Sequence, residues 1–361
     1  MGIDDRIQEL EEKLEKTPVN KATETERGRL KGQIAELKEE KQKKQTGTGD
    51  TSGYAVKKKG DATVALVGFP SVGKSTLLHQ VTNADSDTGA YEFTTLDVNP
   101  GMLKHKGANI QILDVPGLIG GAADGRGGGT QVLSVVRNAE FVVIMLDPEE
   151  MREHEIKSEL YDAGIRINQS PPDIKVEKKG RGGISISTTV DLEIEDETIK
   201  QMMQQRGYSN AEVIIREKVD LDRFVDGLMK NRKYVPAVTV VNKADMLSNK
   251  IRKEYEEKYD LLISAENGNN LEELRDEIFE GLGLIRVYMK EKGEEADKDE
   301  PLILTEGDTV EDALNDLPGD MKDRFKKAKV TGESSKFPNQ KVGVEHELMD
   351  EDILELNLRH I

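Results

Sequence analysis

The octapeptide GFPSVGKS at residues 68–75 follows the apolar run ATVALV and opens a helical pattern, KSTLL. Its glycines let successive backbone N–H groups curl around an anion, and the helix that follows adds the positive end of its dipole. This is the Walker A pattern in its strand-to-helix setting, with Lys74 placed to reach β- and γ-phosphates and Ser75 to ligate Mg2+. Three further pieces follow in order, each at the end of an apolar run. Asp114 of DVPG can hold Mg2+ through water, and Gly117 offers its N–H to a γ-phosphate. NKAD (242–245) supplies Asp245, a carboxylate able to accept from both donors of a guanine edge, whereas adenine lacks the matching N2 group. SAE (264–266) offers the Ala265 amide to guanine O6. Between the phosphate loop and DVPG, YEFTTLDVNPG supplies hydroxyls, with Thr95 as the second Mg2+ ligand and Thr94 beside it. Singly, NKAD also reads as a polar strand end and the threonine pair as the opening of a strand. Together the pieces point to a guanine nucleotide.

The candidate nucleotide contacts are therefore Gly68, Phe69, Pro70, Ser71, Val72, Gly73, Lys74, Ser75, Thr76, Phe93, Thr94, Thr95, Asp114, Val115, Pro116, Gly117, Asn242, Lys243, Asp245, Ser264, Ala265 and Glu266. Ser75, Thr95 and Asp114 are the expected Mg2+ ligands; Lys74, Thr95 and Gly117 are the expected catalytic groups. One position breaks the pattern. In Ras-type sites a glutamine after the switch glycine orients the attacking water, and here that position is Leu118, which cannot hydrogen-bond a water. Either the chain binds nucleotide without hydrolysing it, or another group carries the chemistry.

These residues need a sheet to position them. From residue 61, short β-rich runs alternate with helical patterns: ATVALVG, a helix over 74–84, NIQILDV, a helix over 129–139, and FVVIMLD. That alternation predicts an α/β domain around a mostly parallel sheet. The next such strand, PAVTVVNKAD, comes some ninety residues later, too far for a structureless loop. GGISISTTVDLEI, a helix near 195–206, NAEVIIRE and a helix near 222–231 predict an inserted α+β subdomain over about 150–234. The sheet resumes with YDLLISAEN and closes with a helix over 270–281. Ahead of it, residues 3–45 read as a helical hairpin. Ile3, Ile7, Leu10 and Leu14 share one face, and Leu30, Ile34 and Leu37 another; a solvated coiled-coil arm is the plainer alternative. TGTGDTSG (46–53) is a linker by composition. After 284, IRVYMKE, an acidic loop, PLILTEGDTVEDAL, a basic helix and DEDILELNL predict a small β-grasp module.

Composition sets outer bounds. The 361 residues carry 70 acidic and 52 basic side chains, a formal charge of −18. Such an excess implies a solvated surface and high solubility and suits a salt-adapted host. With no cysteine there are no disulfides, thiolate nucleophiles or Cys-based zinc sites. The five histidines are scattered without metal-ligand spacing. Neither a signal peptide nor an apolar run of membrane-spanning length appears, so a cytoplasmic protein without membrane attachment is expected. Against the acidic whole, residues 321–341 hold seven basic and two acidic residues. With Phe325 and Phe337, those lysines could meet RNA phosphates and stack a base, or form an ordinary solvated face. KVEKKGRGG (175–183) is a second, weaker basic stretch.

GFPSVGKSTLL, YEFTTL, DVPGLIGGA and the glycine-rich DGRGGGTQVLSVVRNAE together resemble the Obg-type GTPases of the translation-factor class. NKATE, GIRINQSPPDI and FPNQKVGVEHEL carry a closer resemblance to the developmentally regulated GTP-binding (DRG) branch in its archaeal form. The resemblance covers nearly the whole chain. It implies a P-loop NTPase G domain over 61–284 with an inserted α+β subdomain. It further implies a helical hairpin and linker over 1–50 and a C-terminal TGS domain, a ubiquitin-like β-grasp, over 285–361. It implies binding of GTP or GDP with Mg2+ and slow hydrolysis. Leu118 would be retracted, with K+ or a regulatory partner stabilising the transition state in place of an arginine finger. The position that typically ligates K+ with Asn is Ser71 here, and Gly120 stands where relatives usually carry Glu. A ribosome or RNA partner through the TGS domain is also implied, and no DNA. The expected function is a molecular switch on the translation machinery. The alternative is a GTP-binding scaffold or RNA-binding module with little intrinsic hydrolysis.

Overall fold

The structure, a computed structural model, describes residues 2–46, 58–82, 98–115, 129–291, 293–317 and 321–358. They fall into two compact units: one from Met1–Gly53 with Leu160–Tyr234, the other from Tyr54–Glu159 with Val235–Ile361. The chain opens with α1 (Ile3–Lys16) and α2 (Glu24–Thr46). The first sheet then begins with β1 (Ala62–Val67), α3 (Lys74–Val81), β2 (Asn99–His105), β3 (Ala108–Asp114), α4 (Gly129–Asn138) and β4 (Phe141–Leu146). After α5 (Glu153–Asp162) the chain builds β5 (Ile165–Ile167), β6 (Ile174–Lys178), β7 (Ile184–Thr188), α6 (Asp196–Gln205), β8 (Ala211–Ile215), α7 (Leu221–Leu228) and β9 (Lys233–Val235). The first sheet resumes with β10 (Ala237–Val241), α8 (Asn249–Glu256), β11 (Leu261–Leu262) and α9 (Leu271–Gly281).

That sheet has the order β11-β10-β4-β1-β3-β2. Every pairing is parallel except β2 with β3, so β2 is an antiparallel edge. β1 and β4 are buried along their whole length, as befits central strands covered on both faces. β2 went unread in the sequence. Its NPGMLKH alternates in burial, and Pro and Gly mask the strand signal except at a sheet edge.

In the other unit, β8 lies between β6 and β7 and turns Ala211, Val213 and Ile215 inward. These pack with Ile199, Met202 and Met203 of α6 and with Phe224 and Val225 of α7. α2 belongs to the same core. Ala35 lies in it, Lys31 Nζ meets Asp222 Oδ1 at 2.5 Å, and a Cβ on Gly28 would stand 2.9 Å from Thr198 Cγ2. The N-terminal hairpin is therefore not a free solvated arm; α2 docks on the inserted segment through a glycine that permits close approach.

From residue 284 the chain forms β12 (Leu284–Lys290), β13 (Leu302–Thr305), α10 (Val310–Asp316), α11 (Met321–Arg324), β14 (Phe325–Thr331), β15 (Gln340–Val342) and β16 (Asp352–Leu358). The sheet order is β13-β12-β16-β14-β15, with Val310, Ala313 and Leu314 of α10 in its core. Here one expectation is corrected. The basic helix expected between PLILTEGDTVEDAL and DEDILELNL is a single turn, α11, followed by the strand β14. Ala328 and Val330 are fully buried while Lys327 and Lys329, which alternate with them, are half-buried. That period of two belongs to a strand half-buried on one face.

Candidate functional site

The five parallel strands of the first sheet, β11, β10, β4, β1 and β3, end at one edge, where open α/β sheets bind their ligands. Beyond β1, the phosphate loop turns through Ser71 (φ 64°) and Gly73 (φ 96°) before α3 begins. Gly73 is required twice over: its φ is left-handed, and a Cβ there would lie 2.3 Å from Asn242 Nδ2.

Lys74 is buried, and its ammonium donates to the carbonyls of Gly68 and Phe69, each at 3.0 Å. Burial pulls its pKa below the ordinary lysine value, against the opposing pull of Asp114. No carboxylate lies within ion-pair distance among the described residues. A buried cation held only by carbonyl dipoles is poised for an anion. Replacing it with an isosteric apolar chain removes the desolvation cost along with the phosphate contact. Lys74→Met is expected to raise the melting temperature of the nucleotide-free chain, by roughly 2–4 °C per kcal/mol recovered, while abolishing nucleotide binding. Calorimetry without nucleotide checks the first half, and a lower melting point would contradict it.

Next along α3, Ser75 Oγ donates to Asp114 Oδ2 at 2.6 Å, so the two described Mg2+ candidates already share one point in space. Asn242, after β10, ties the site together. Its Nδ2 donates to Val72 O at 2.8 Å, and its Oδ1 accepts from the Ala265 N–H at 2.9 Å. The donor assigned to guanine O6 is thus engaged by Asn242, and a bound base must share or displace it. Lys243 adopts φ 57° and reaches Asp147 Oδ2 at 2.5 Å. Burial raises the Asp147 pKa, but the bond from Lys243, the Glu149 amide and the lysine charge outweigh it, and the carboxyl ends below its usual range. Asp245 is exposed and makes no hydrogen bond or ion pair with a described residue. Ser264 and Ala265 are buried and Glu266 exposed.

Phe93, Thr94, Thr95, Pro116 and Gly117, together with Leu118 and Gly120, lie outside the described residues. Gly68, Phe69, Pro70, Ser71, Val72, Thr76 and Val115 sit on the same edge as Lys74 and Asp114. Two participants had escaped the sequence reading. Asp147 directly follows Leu146, the last residue of β4, and an acid closing the apolar run FVVIMLD was a usable signal. Arg152 lays its guanidinium 3.6 Å from the Phe69 ring centroid; eighty residues of separation left no signal for that contact.

Comparison with known proteins identifies the domains. Residues 63–179 match the family model described as 50S ribosome-binding GTPase, residues 181–284 the C-terminal region of that domain, and residues 285–357 the TGS domain. The chain is similar to a GTP-binding protein of Halobacterium salinarum, at 47% identity over 99% of this chain and 100% of that one. It is 46% identical to a GTP-binding protein of Methanocaldococcus jannaschii, covering 99% and 94%. It is 38% identical to human developmentally-regulated GTP-binding protein 2, covering 99% of both.

Proposed function

Because the chain belongs to the developmentally regulated GTP-binding protein family, we propose that it is a slow, magnesium-dependent GTPase acting as a switch on the translation machinery. That it is a GTP-binding protein with a GTPase domain followed by a TGS domain comes with the family. Hydrolysis, its rate and the target are the proposal. The observation that carries it is the buried Lys74 beside the Ser75–Asp114 pair: a desolvated cation with no carboxylate within ion-pair distance among the described residues, close to a bonded hydroxyl and carboxylate. One carboxylate, one hydroxyl and substrate phosphates make a donor set that Mg2+ accepts, so Ser75 and Asp114 would hold it, with Thr95 as a third oxygen. There it would neutralise phosphate charge.

Within the chain, Lys74 and the loop amides would bind and orient the β- and γ-phosphates, and Asp245 would select the base. Leu118 leaves no side chain to orient water. The stabilising charge would then come from K+ near Ser71 or from a regulatory partner. The same leucine favours the second reading, a GTP-binding scaffold with little hydrolysis. The description of the matched GTPase model supports the ribosome as the target.

Two measurements test this. Ser75→Ala should remove the Mg2+ dependence of GTP affinity while leaving the melting temperature unchanged; an unaltered magnesium titration refutes the assignment. Single-turnover phosphate release should proceed near the unassisted Ras scale, about 3–5 × 10⁻⁴ s⁻¹, slower in Na+ than in K+, and little changed by Leu118→Ala. No release in either salt selects the scaffold. Equal rates in both salts leave a partner-supplied group as the stabiliser.

A further inference from the structure

The C-terminal sheet has one face packed on α10, carrying Ile285, Val287, Ala328, Val330 and Leu354. Alternation puts their strand neighbours on the opposite face, and the register aligns them. Lys341 stands opposite Lys329, Lys329 opposite Glu355, and Glu355 opposite Lys290, one row across four strands. Beside that row, Lys327 stands opposite Asn357, and Thr331, Ile353 and Tyr288 form the flanking row.

The charges on this face are not balanced. Glu355 is the one acid that β12, β14, β15 and β16 place there; it is buried and holds Lys329 at 2.7 Å. Lys290, Lys327 and Lys341 have no carboxylate within ion-pair distance among the described residues. Six acids lie close together in the loop 291–300, EKGEEADKDE. Glu295, Asp297 and Asp299 of that loop wall an open groove whose floor includes Lys290 and Ile353. An acidic wall at the β12 end and bare lysines over β14 and β15 bias a polyanion toward β14 and β15. A broad sheet face with lysines and one aromatic is also how several single-strand RNA platforms are built.

We propose that single-stranded RNA lies across this open face, with phosphates on Lys327 and Lys341 and a base on Tyr288. This rests on the reading that the TGS domain meets RNA. It moves the contact away from Phe337, which is 59% exposed but belongs to the β14–β15 connection rather than to the face. It also excludes Lys329, whose charge Glu355 already engages.

The test uses the full chain and a fluorescein-labelled oligouridylate, read by anisotropy across a salt series. The double variant Lys327→Gln/Lys341→Gln should flatten the log affinity–log salt slope by about 1.4, at ~0.7 per phosphate contact. Tyr288→Ala should weaken binding about fivefold or more, Tyr288→Phe should restore it, and Phe337→Ala should change little. Losses that follow Phe337→Ala instead overturn the placement while the RNA reading stands. A parent chain that binds no oligouridylate overturns both. Polyglutamate that competes as well as RNA, with the same sensitivity to the lysine pair, marks a general polyanion face and overturns the RNA assignment.

Discussion

Asp245→Asn is expected to cost the chain at least about a hundredfold in GTP affinity and to hand its preference to xanthine nucleotides. Two charge-assisted hydrogen bonds, each worth about 1.5–3 kcal/mol, are at stake. The substitution changes an acceptor-only group into one with an NH2 donor, which faces the guanine N2 amine donor-to-donor. Xanthine replaces that amine with an oxygen, so the mismatch is repaired on the ligand. Nothing in the fold depends on the carboxylate, since Asp245 is exposed and makes no hydrogen bond or ion pair with a described residue. The melting temperature of the nucleotide-free variant should therefore match the parent. Competition of GTP and xanthosine triphosphate for the same site, measured by displacement of a fluorescent nucleotide, reads both changes. A variant that retains parental GTP affinity and selectivity removes NKAD from the base-recognition role.

The sequence was most legible where function fixes both residue type and position. Gly73 must be glycine because of its left-handed φ and the approach of Asn242, so it announces the phosphate loop from a single letter. Short, β-branched continuous runs such as FVVIML favour buried central strands, and this one is such a strand. Legibility failed where an element's partner is distant in sequence. Gly28 in α2 looks like a defect in a solvated helix; the Thr198, Met202 and Leu221 side chains, some 170–190 residues on, explain it. The lysines of β14 misled for another reason. FKKAKVT offers two buried positions, and a short basic run with good helix formers fits a helix equally well until its neighbouring strands are known. In the site itself, the Ser75–Asp114 contact was foreseeable from the motif order. The Asn242 bridge between Val72 and Ala265 was not, because side chain–backbone bonds between separate loops leave no periodic trace.

Removing the carboxylate of Asp226 should be the most damaging single change in the unit that joins α2 to the inserted segment. Arg166 is 2% exposed. Its Nε and Nη2 meet Asp226 Oδ2 and Oδ1 at 2.5 and 2.7 Å, and Arg232 Nε meets the same Oδ1 at 2.6 Å. One carboxylate therefore serves two guanidinium groups. The Arg166 guanidinium also stacks 3.6 Å from the Tyr161 ring centroid and donates to the Tyr161 carbonyl, which fixes Tyr161 against β5. Burial, reinforced by Asp222, pushes the Tyr161 hydroxyl up to about 12, so the ring stays neutral and cannot substitute for the lost anion at physiological pH. Asp226→Ala strands two cations in the interior, a loss of about 3–5 kcal/mol for a broken buried pair. Replacing all three partners together, as Arg166→Met/Asp226→Leu/Arg232→Met, should recover most of that, because the penalty comes from the uncompensated charge and not from the absence of an ion pair. Amide hydrogen exchange locates the effect: α7 and β5 should lose protection in the single variant and regain it in the triple one. If Asp226→Ala leaves exchange in α7 unchanged, Asp226 does not hold these two arginines in solution.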